Sequence, residues 1–307
     1  AVGAVGSRWL VTGSRGQLGR ALVRNLERDA GCEIVAAVDI DEVDIADPGP
    51  LRRFFEGLAA PPDVVVNAAA FTHVDRCERE PELAERSNAT APGLLAGLCL
   101  EAGVRLVHVS TDYVFSGDAD RPYTEEDAPA PRCAYGRTKL EGERRVLAAS
   151  DAFLIARTSW VFGEGRNFIA AILAQAEDRR RGRASGPLRV VDDQRGRPTY
   201  AVDLAEAIRG LVERGATGVY HVANEGVATW WEVARFALDE AGFGDLVIER
   251  IRTGDLEVDA PRPAWSVLDG SKAEALGVRM RSWREAVRGY LASEGSPLAE
   301  RGGAARP

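Results

Sequence analysis

A tyrosine and a lysine stand four positions apart in "AYGRTKLEGE", Ala134 to Glu143, a run of helix formers that sets Tyr135 and Lys139 on one face. Upstream, "HVSTDYVFSG" closes an apolar, β-branched run and leaves Ser110 and Thr111 at its carboxyl end. These three types suit ketone reduction. A threonine hydroxyl can hold a carbonyl oxygen and a phenol can deliver a proton to it. A close cation can bring that phenol, ordinarily titrating near ~10, toward working pH. Alone, such a Tyr/Lys pair is more commonly a half-buried ring beside a solvated amine. The rest of the chain has to supply the partner chemistry.

It does so in "VTGSRGQLGRALVRNL", where Gly13, Gly16 and Gly19 fall at three-residue intervals, with Gln17 and Leu18 in the same turn. The cluster follows a strand and opens a helix, as a dinucleotide site requires: a tight turn, a bare backbone beside the pyrophosphate, and a helix N-terminus facing the anion. The next strand ends in "VDIDEVDI", which puts Asp39 twenty residues past Gly19. A carboxylate there accepts hydrogen bonds from both hydroxyls of an adenine ribose and repels a 2′-phosphate. Asp44 and Ile45 are expected to flank the adenine. In "NAAA", Ala68, Ala69 and Ala70 are small where the sheet edge must let the cofactor pass. The expectation is NADH or NADPH, tilted to NADH by Asp39 and tempered by Arg15, whose charge can answer a phosphate.

Elements that could position these residues follow from periodicity. "RWLVTG", "CEIVAAVD", "PDVVVNAAA", "RLVHVST" and "AFLIARTSW" read as buried strands with helices between them. The pattern predicts an α/β fold, a doubly wound parallel sheet of Rossmann-like type. Past residue 165 the alternation becomes irregular, with helices in "RNFIAAILAQAE" and "TWWEVARFALDEAGF" and strands in "LRVVDDQ" and "GVYHVAN". A dinucleotide-binding domain over 8–165 is expected, then a smaller, mostly C-terminal substrate lobe over 166–292, with segments of about 190–225 returning to the main sheet. Residues 1–7 and 293–307 are expected as flexible ends, and "RRRGR", Arg179 to Arg183, as a solvated helix end.

The 307 residues are 45% hydrophobic and carry a formal net charge of −8. That balance argues against nucleic-acid and anionic-membrane partners, which demand a basic face. Four cysteines without CxxC spacing and three histidines give no metal-ligand pattern. No apolar run approaches a membrane span, and the N-terminal stretch lacks a signal-peptide pattern. A reduced, cytoplasmic protein with a small-molecule ligand is expected.

The motif TGxxGxxG at 12–19, "NAAA", the strand-end threonine and Tyr-x-x-x-Lys resemble the extended short-chain dehydrogenase/reductase superfamily. More narrowly, "GQLG", "VNAAAFTHVD", "STDYVF", "YGRTKLEGE", "RTSWVFG" and "DDQRGRPT" are similar to the dTDP-4-dehydrorhamnose reductase family, from about residue 8 to 292. The resemblance implies hydride transfer from NADH or NADPH to C4 of a dTDP-4-keto-6-deoxysugar, dTDP-4-dehydro-6-deoxy-L-mannose, with Tyr135 as proton donor. It implies that Thr111 polarises the ketone, Asp112 contacts the sugar, Lys139 binds the nicotinamide ribose and Trp160 lies along the substrate. Arg197, Pro198, Thr199 and the "PRP" containing Arg262 would belong to the substrate cleft. The family implies a monomer or a homodimer. Some members carry Mg2+ at acids of a dimer contact, and no acids here match them, so the metal ligands are unassigned.

Three other readings share the scaffold. A nucleotide-sugar 4,6-dehydratase or an epimerase would keep its NAD bound and recycle it, and the dehydratase would need Asp then Glu after the threonine, where here Asp112 precedes Tyr113. A 4-ketoreductase for another dTDP-deoxysugar would keep the reacting groups and change only the pocket. A non-catalytic regulatory subunit would hold the dinucleotide without using Thr111, Tyr135 and Lys139.

Overall fold

The computed structural model describes residues 7–299. In chain order the first half holds β1 (Ser7–Thr12), α1 (Gln17–Glu27), β2 (Cys32–Val38), α2 (Pro48–Glu56), β3 (Val64–Asn67), α3 (Val74–Arg79), α4 (Pro81–Glu85), α5 (Ala91–Ala102), β4 (Arg105–Thr111), α6 (Ala134–Ala149) and β5 (Leu154–Thr158). There follow β6 (Val161–Phe162), α7 (Phe168–Arg180), β7 (Leu188–Val191), β8 (Arg195–Gly196), β9 (Thr199–Tyr200), α8 (Ala201–Glu213), β10 (Gly218–His221), β11 (Ala228–Thr229), α9 (Trp230–Glu240), β12 (Ile248–Ile251), α10 (Ser271–Ala275) and α11 (Trp283–Leu291).

Six strands form one parallel sheet in the order β10-β5-β4-β3-β1-β2. The near-continuous apolar strands are explained by burial on both faces. Trp9, Val11, Val64 and Val66 enter the core beneath α1 and α8, whereas Leu10, Val65, Leu106 and Ile155 enter the one that holds Leu95 and Cys99 of α5. The chain runs from β1 outward to β2, then crosses to β3 on the other side of β1. A switch point of this kind opens a crevice at the carboxyl ends of the strands.

Of the segments around 190–225, two join this sheet: β10 pairs with β5, and α8 buries Leu204, Ile208 and Leu211 against β1 and α1. By contrast β7 pairs with β12 outside it. Ile169, Leu173, Val233, Leu238, Phe243, Trp283 and Tyr290 form a separate core. Its helix α9 starts with a capping box, Thr229 accepting from the Glu232 amide and Glu232 answering the Thr229 amide.

Ser7 already belongs to β1, opposite Cys32, and Ser296 is buried. The remaining expected ends, 1–6 and 300–307, lie outside the described residues. In the basic run, Arg180 and Arg181 pair with Glu177 and Arg183 with Asp178 at the exposed end of α7. Among the described residues, no helix is long and apolar enough to cross a membrane.

Candidate active site

The crevice opens where β1 and β3 end. Gly13 turns there with φ +70°, and a Cβ on it would lie 2.6 Å from the Ala69 nitrogen. A Cβ on Gly19 would lie 2.0 Å from the Gly13 carbonyl oxygen, so α1 can begin this close to the loop only with glycine. Gly16 caps α1 without any side-chain bond to its free amides, leaving them to a ligand. This bare backbone fits a dinucleotide pyrophosphate, and a Cβ at Gly13 would break the turn by colliding with the Ala68–Ala69 backbone.

A cavity of about 550 Å³ takes in Gly13, Gly16, Asp39, Asp44, Ile45 and the alanines Ala68, Ala69 and Ala70. Asp39 accepts from the Arg15 amide at 3.0 Å and the Ile40 amide at 2.8 Å. The Arg15 guanidinium is paired with Asp41 and Glu42. Asp44 is paired with Arg86 at 2.7 Å. This end of the cleft is therefore acidic, and its nearest cations are already engaged.

The cleft continues into a second cavity of about 600 Å³, sharing Arg15, Gly16, Ala68 and Ala70 with the first. Gln17, Leu18 and Gly19 line it, and so do Thr111, Asp112, Tyr135, Lys139 and Trp160. Thr111 and Asp112 come from the end of β4, Tyr135 and Lys139 from the first turns of α6. Thr111 Oγ1 donates to Asp112 Oδ1 at 2.9 Å. Ser110 Oγ, Asp112 Oδ2 and Thr158 Oγ1 are buried without hydrogen-bond partners and border the same space, as groups awaiting a polar ligand would.

Burial sets the protonation states. It pushes the Tyr135 phenol up, opposed by a hydrogen bond with Thr111, so the group holds its proton. It pushes Asp112 up to about 6, against the pull of bonds from Ser266 and Thr111. It pushes Lys139 down to about 8, opposed by the charge of Glu143. Tyr113 packs edge-on against Tyr135, with ring centroids 5.5 Å apart. The arrangement supplies a protonated phenol, a hydroxyl donor and a tunable amine around one space.

Trp160 departs from expectation. It has φ +49°, which no other non-glycine among the described residues shares. Its indole stacks on Trp230, centroids 3.7 Å apart and planes 6° apart. Gly196 covers the opposite face: a Cβ there would sit 2.4 Å from Cε2 and 2.7 Å from both Nε1 and Cζ2, a position over the ring. With both faces taken, a ligand in the cavity meets the edge of Trp160 and cannot lie flat along it.

Arg197 and Arg262 do not line the second cavity itself. Gly196 faces Trp160 and ends β8, and Arg197 follows it in the link to β9. Arg197 lines a separate cavity of about 220 Å³ with His221 and Asp269. Arg262 is drawn to Asp75 at 2.7 Å and borders a crevice of about 50 Å³ beside Tyr113. Pro198 is buried, and Thr199 donates its amide to the Trp160 carbonyl at 3.1 Å. Among the described residues, no three His, Cys, Asp or Glu side chains gather to hold a metal.

Several site residues carried no motif. Asn88 is fully buried in a π-helical turn, accepts from the Phe71 amide at 2.8 Å and donates to Thr138 of α6 at 3.2 Å. Thr158 and Trp230 line the second cavity. His108 and Asn67 are buried between the sheet and Lys139. Their signal was a polar residue inside an otherwise apolar strand. Lys139 had one as well: of 39 basic side chains in the chain, two are lysines, Lys139 and Lys272.

The profile of the family described as "RmlD substrate binding domain" matches residues 7–295. A probable dTDP-4,6-dihydroxy-2-methyloxan-3-one 4-ketoreductase of Streptomyces antibioticus is 43% identical, over 92% of this chain and 93% of its own. The dTDP-4-dehydrorhamnose reductase of Mycobacterium tuberculosis is 39% identical, over 93% of each. The solved structure of dTDP-4-dehydrorhamnose reductase from Bacillus anthracis, in complex with NADP, superposes with a TM-score of 0.86 at 30% identity, covering 93% of this chain and 99% of that one. With the glycine cleft, the strand-end threonine and the Tyr/Lys helix at the switch point of the same fold, the chain belongs to the dTDP-4-dehydrorhamnose reductase family, nicotinamide-dependent oxidoreductases of the extended short-chain dehydrogenase/reductase superfamily.

Proposed function

We propose that the protein reduces the C4 ketone of dTDP-4-dehydrorhamnose to dTDP-L-rhamnose, with Tyr135 as proton donor. The observation that carries this is the convergence of Thr111, Tyr135 and Lys139 on one cavity continuous with the glycine cleft. When bound, the dinucleotide supplies the hydride. Tyr135 holds a proton within the cavity and releases it to the ketone oxygen as charge develops there. Thr111 turns its hydroxyl from Asp112 to that oxygen, and Asp112 receives the sugar hydroxyl that replaces it. Lys139 binds the ribose and, as a cation, stabilises the phenolate left on Tyr135. The test is kcat/KM for dTDP-4-dehydrorhamnose against its unepimerised 4-keto-6-deoxyglucose precursor. Preference for the former supports this substrate. The reverse favours a sister deoxysugar reductase, a reading supported by the 43% identity to the Streptomyces antibioticus ketoreductase.

Two consequences are measurable. The acidic adenosine end, with Arg15 held by Asp41 and Glu42, favours NADH. Asp39→Ala is expected to lower the NADH/NADPH ratio of specificity constants about tenfold, a change of ~1.4 kcal/mol. Equal constants for both cofactors, unmoved by the substitution, would show that Asp39 reads nothing.

The second concerns Asp112, raised to about 6 by burial. Its carboxylate accepts from the sugar only above that value, so the Michaelis constant should rise as pH falls through about 6 and lose this dependence in Asp112→Asn. For folding the sign is opposite. A value above the unfolded carboxylate's ~3.9 means that ionised Asp112 costs stability, which is recovered as pH falls from about 6 toward ~4. A Michaelis constant that is flat across this range in the wild type would remove Asp112 from the sugar.

A further inference from the structure

Thr12, Asn67, His108 and Lys139 form a line of buried polar side chains from β1 to α6, none more than 2% exposed. Asn67 Oδ1 accepts from the Ala69 amide at 3.1 Å and the Thr12 hydroxyl at 2.8 Å. A backbone amide can only donate, so the Asn67 oxygen is pinned to that side and Nδ2 faces His108 Nδ1, 3.1 Å away. Nδ1 must then carry the lone pair. Burial alone suffices to hold His108 well below the usual imidazole range, and any charge on Lys139 acts in the same direction. The ring is therefore neutral, its one proton sits on Nε2, and Nε2 lies 3.4 Å from Lys139 Nζ.

An N–H donor facing an ammonium leaves that contact unsatisfied. A neutral amine, the main form above about pH 8, resolves it: its lone pair takes the Nε2 proton while one of its own protons goes to the Val109 carbonyl at 2.6 Å. The neighbours do not reverse this. Tyr135 lies one turn earlier on α6 and keeps its proton. Glu143, one turn later, favours the ammonium, but it is engaged by Arg157 of β5 at 2.7 Å, and burial outweighs it. Asp112, at the end of β4, is bonded to Thr111. A guanidinium cannot shed its proton in this way, which accounts for a lysine in a chain that otherwise uses arginine almost throughout.

We infer that His108 is a positioning residue for Lys139: its ring proton, directed by Asn67, parks the amine on the Val109 carbonyl in the cleft wall until the cofactor ribose draws it out. The last step rests on Lys139 as the ribose-binding group. The parked state is a property of the free protein.

Nuclear magnetic resonance on the full chain, free of cofactor, tests it, with 13C in the lysine side chains and 15N in the imidazoles. Only two lysines and three histidines need resolving. His108 is expected with Nδ1 unprotonated and Nε2 protonated, and Lys139 should titrate near 8. In His108→Phe the buried shape is kept but the donor is lost, and the Lys139 midpoint should rise by about one unit, a tenfold gain in proton affinity. If burial alone governed Lys139, the midpoint would stay or fall, and that result overturns the proposal. So does a His108 protonated on Nδ1, which is read on the wild type and decides the matter even if the variant fails to fold. No sugar enters the measurement, so loss of the proposed substrate would leave the result standing.

Discussion

Tyr135→Phe is expected to cut turnover by about 10²–10⁴-fold while leaving NADH affinity nearly unchanged. The ring remains, with its edge-on contact to Tyr113 and its place in the small core of Cys77, Cys133 and Ala260. Only the transferable proton is lost. Asp112 is ionised above about 6 and Lys139 is bonded to Val109 and His108, whereas Tyr113 also borders the cavity with its proton held by burial, so Tyr113→Phe is the matching control and should keep its turnover. Loss in kcat without loss in cofactor binding marks an interaction made in the transition state. A variant keeping more than half the wild-type rate would take Tyr135 out of the role.

Glu143→Ala is expected to lose about 3–5 kcal/mol of folding stability. Glu143 and Arg157 form a bidentate pair at 2.9 and 2.7 Å, with side chains 2% and 4% exposed. Removing the carboxylate strands a guanidinium whose Nη1 already lacks a partner, and whose remaining contact is the Phe115 ring at 5.1 Å. At 4% exposure the side chain has little access to compensating water. The control is Glu80→Ala, which breaks an exposed pair with Arg76 and should cost about 0–1 kcal/mol. Urea unfolding of both variants measures the contrast. A loss below about 1 kcal/mol for Glu143→Ala would mean that water or a rearranged side chain satisfies Arg157.

How much was legible in the sequence depended on how local the cause was. The glycine turn, Asp39 and the Tyr135/Lys139 face are set by short spacings on single elements, and the parallel sheet by apolar runs long enough to be buried on both sides. Trp160 was not legible in the same way. Its two faces are filled by Gly196 and Trp230, far along the chain, and no local spacing announces a stack. Arg197 and Arg262 were drawn to the cleft by the likeness of their segments. Arg197 instead lines the small cavity with His221 and Asp269, and Arg262 is held by Asp75. The paths of β7 and β10 diverge although both are short apolar runs, because α8 carries an apolar face that must be buried against α1 before β10 can pair with β5.

Hydride transfer to C4 is tested most directly with NADH deuterated at the nicotinamide C4, supplied with dTDP-4-dehydrorhamnose and followed by mass spectrometry and NMR of the sugar. One deuterium at C4 of the product per NADH oxidised, with both processes slowed together in Tyr135→Phe, is the predicted result. A sugar altered without net NADH consumption, or an NADH pool left untouched with every dTDP-4-ketosugar tried, would contradict it.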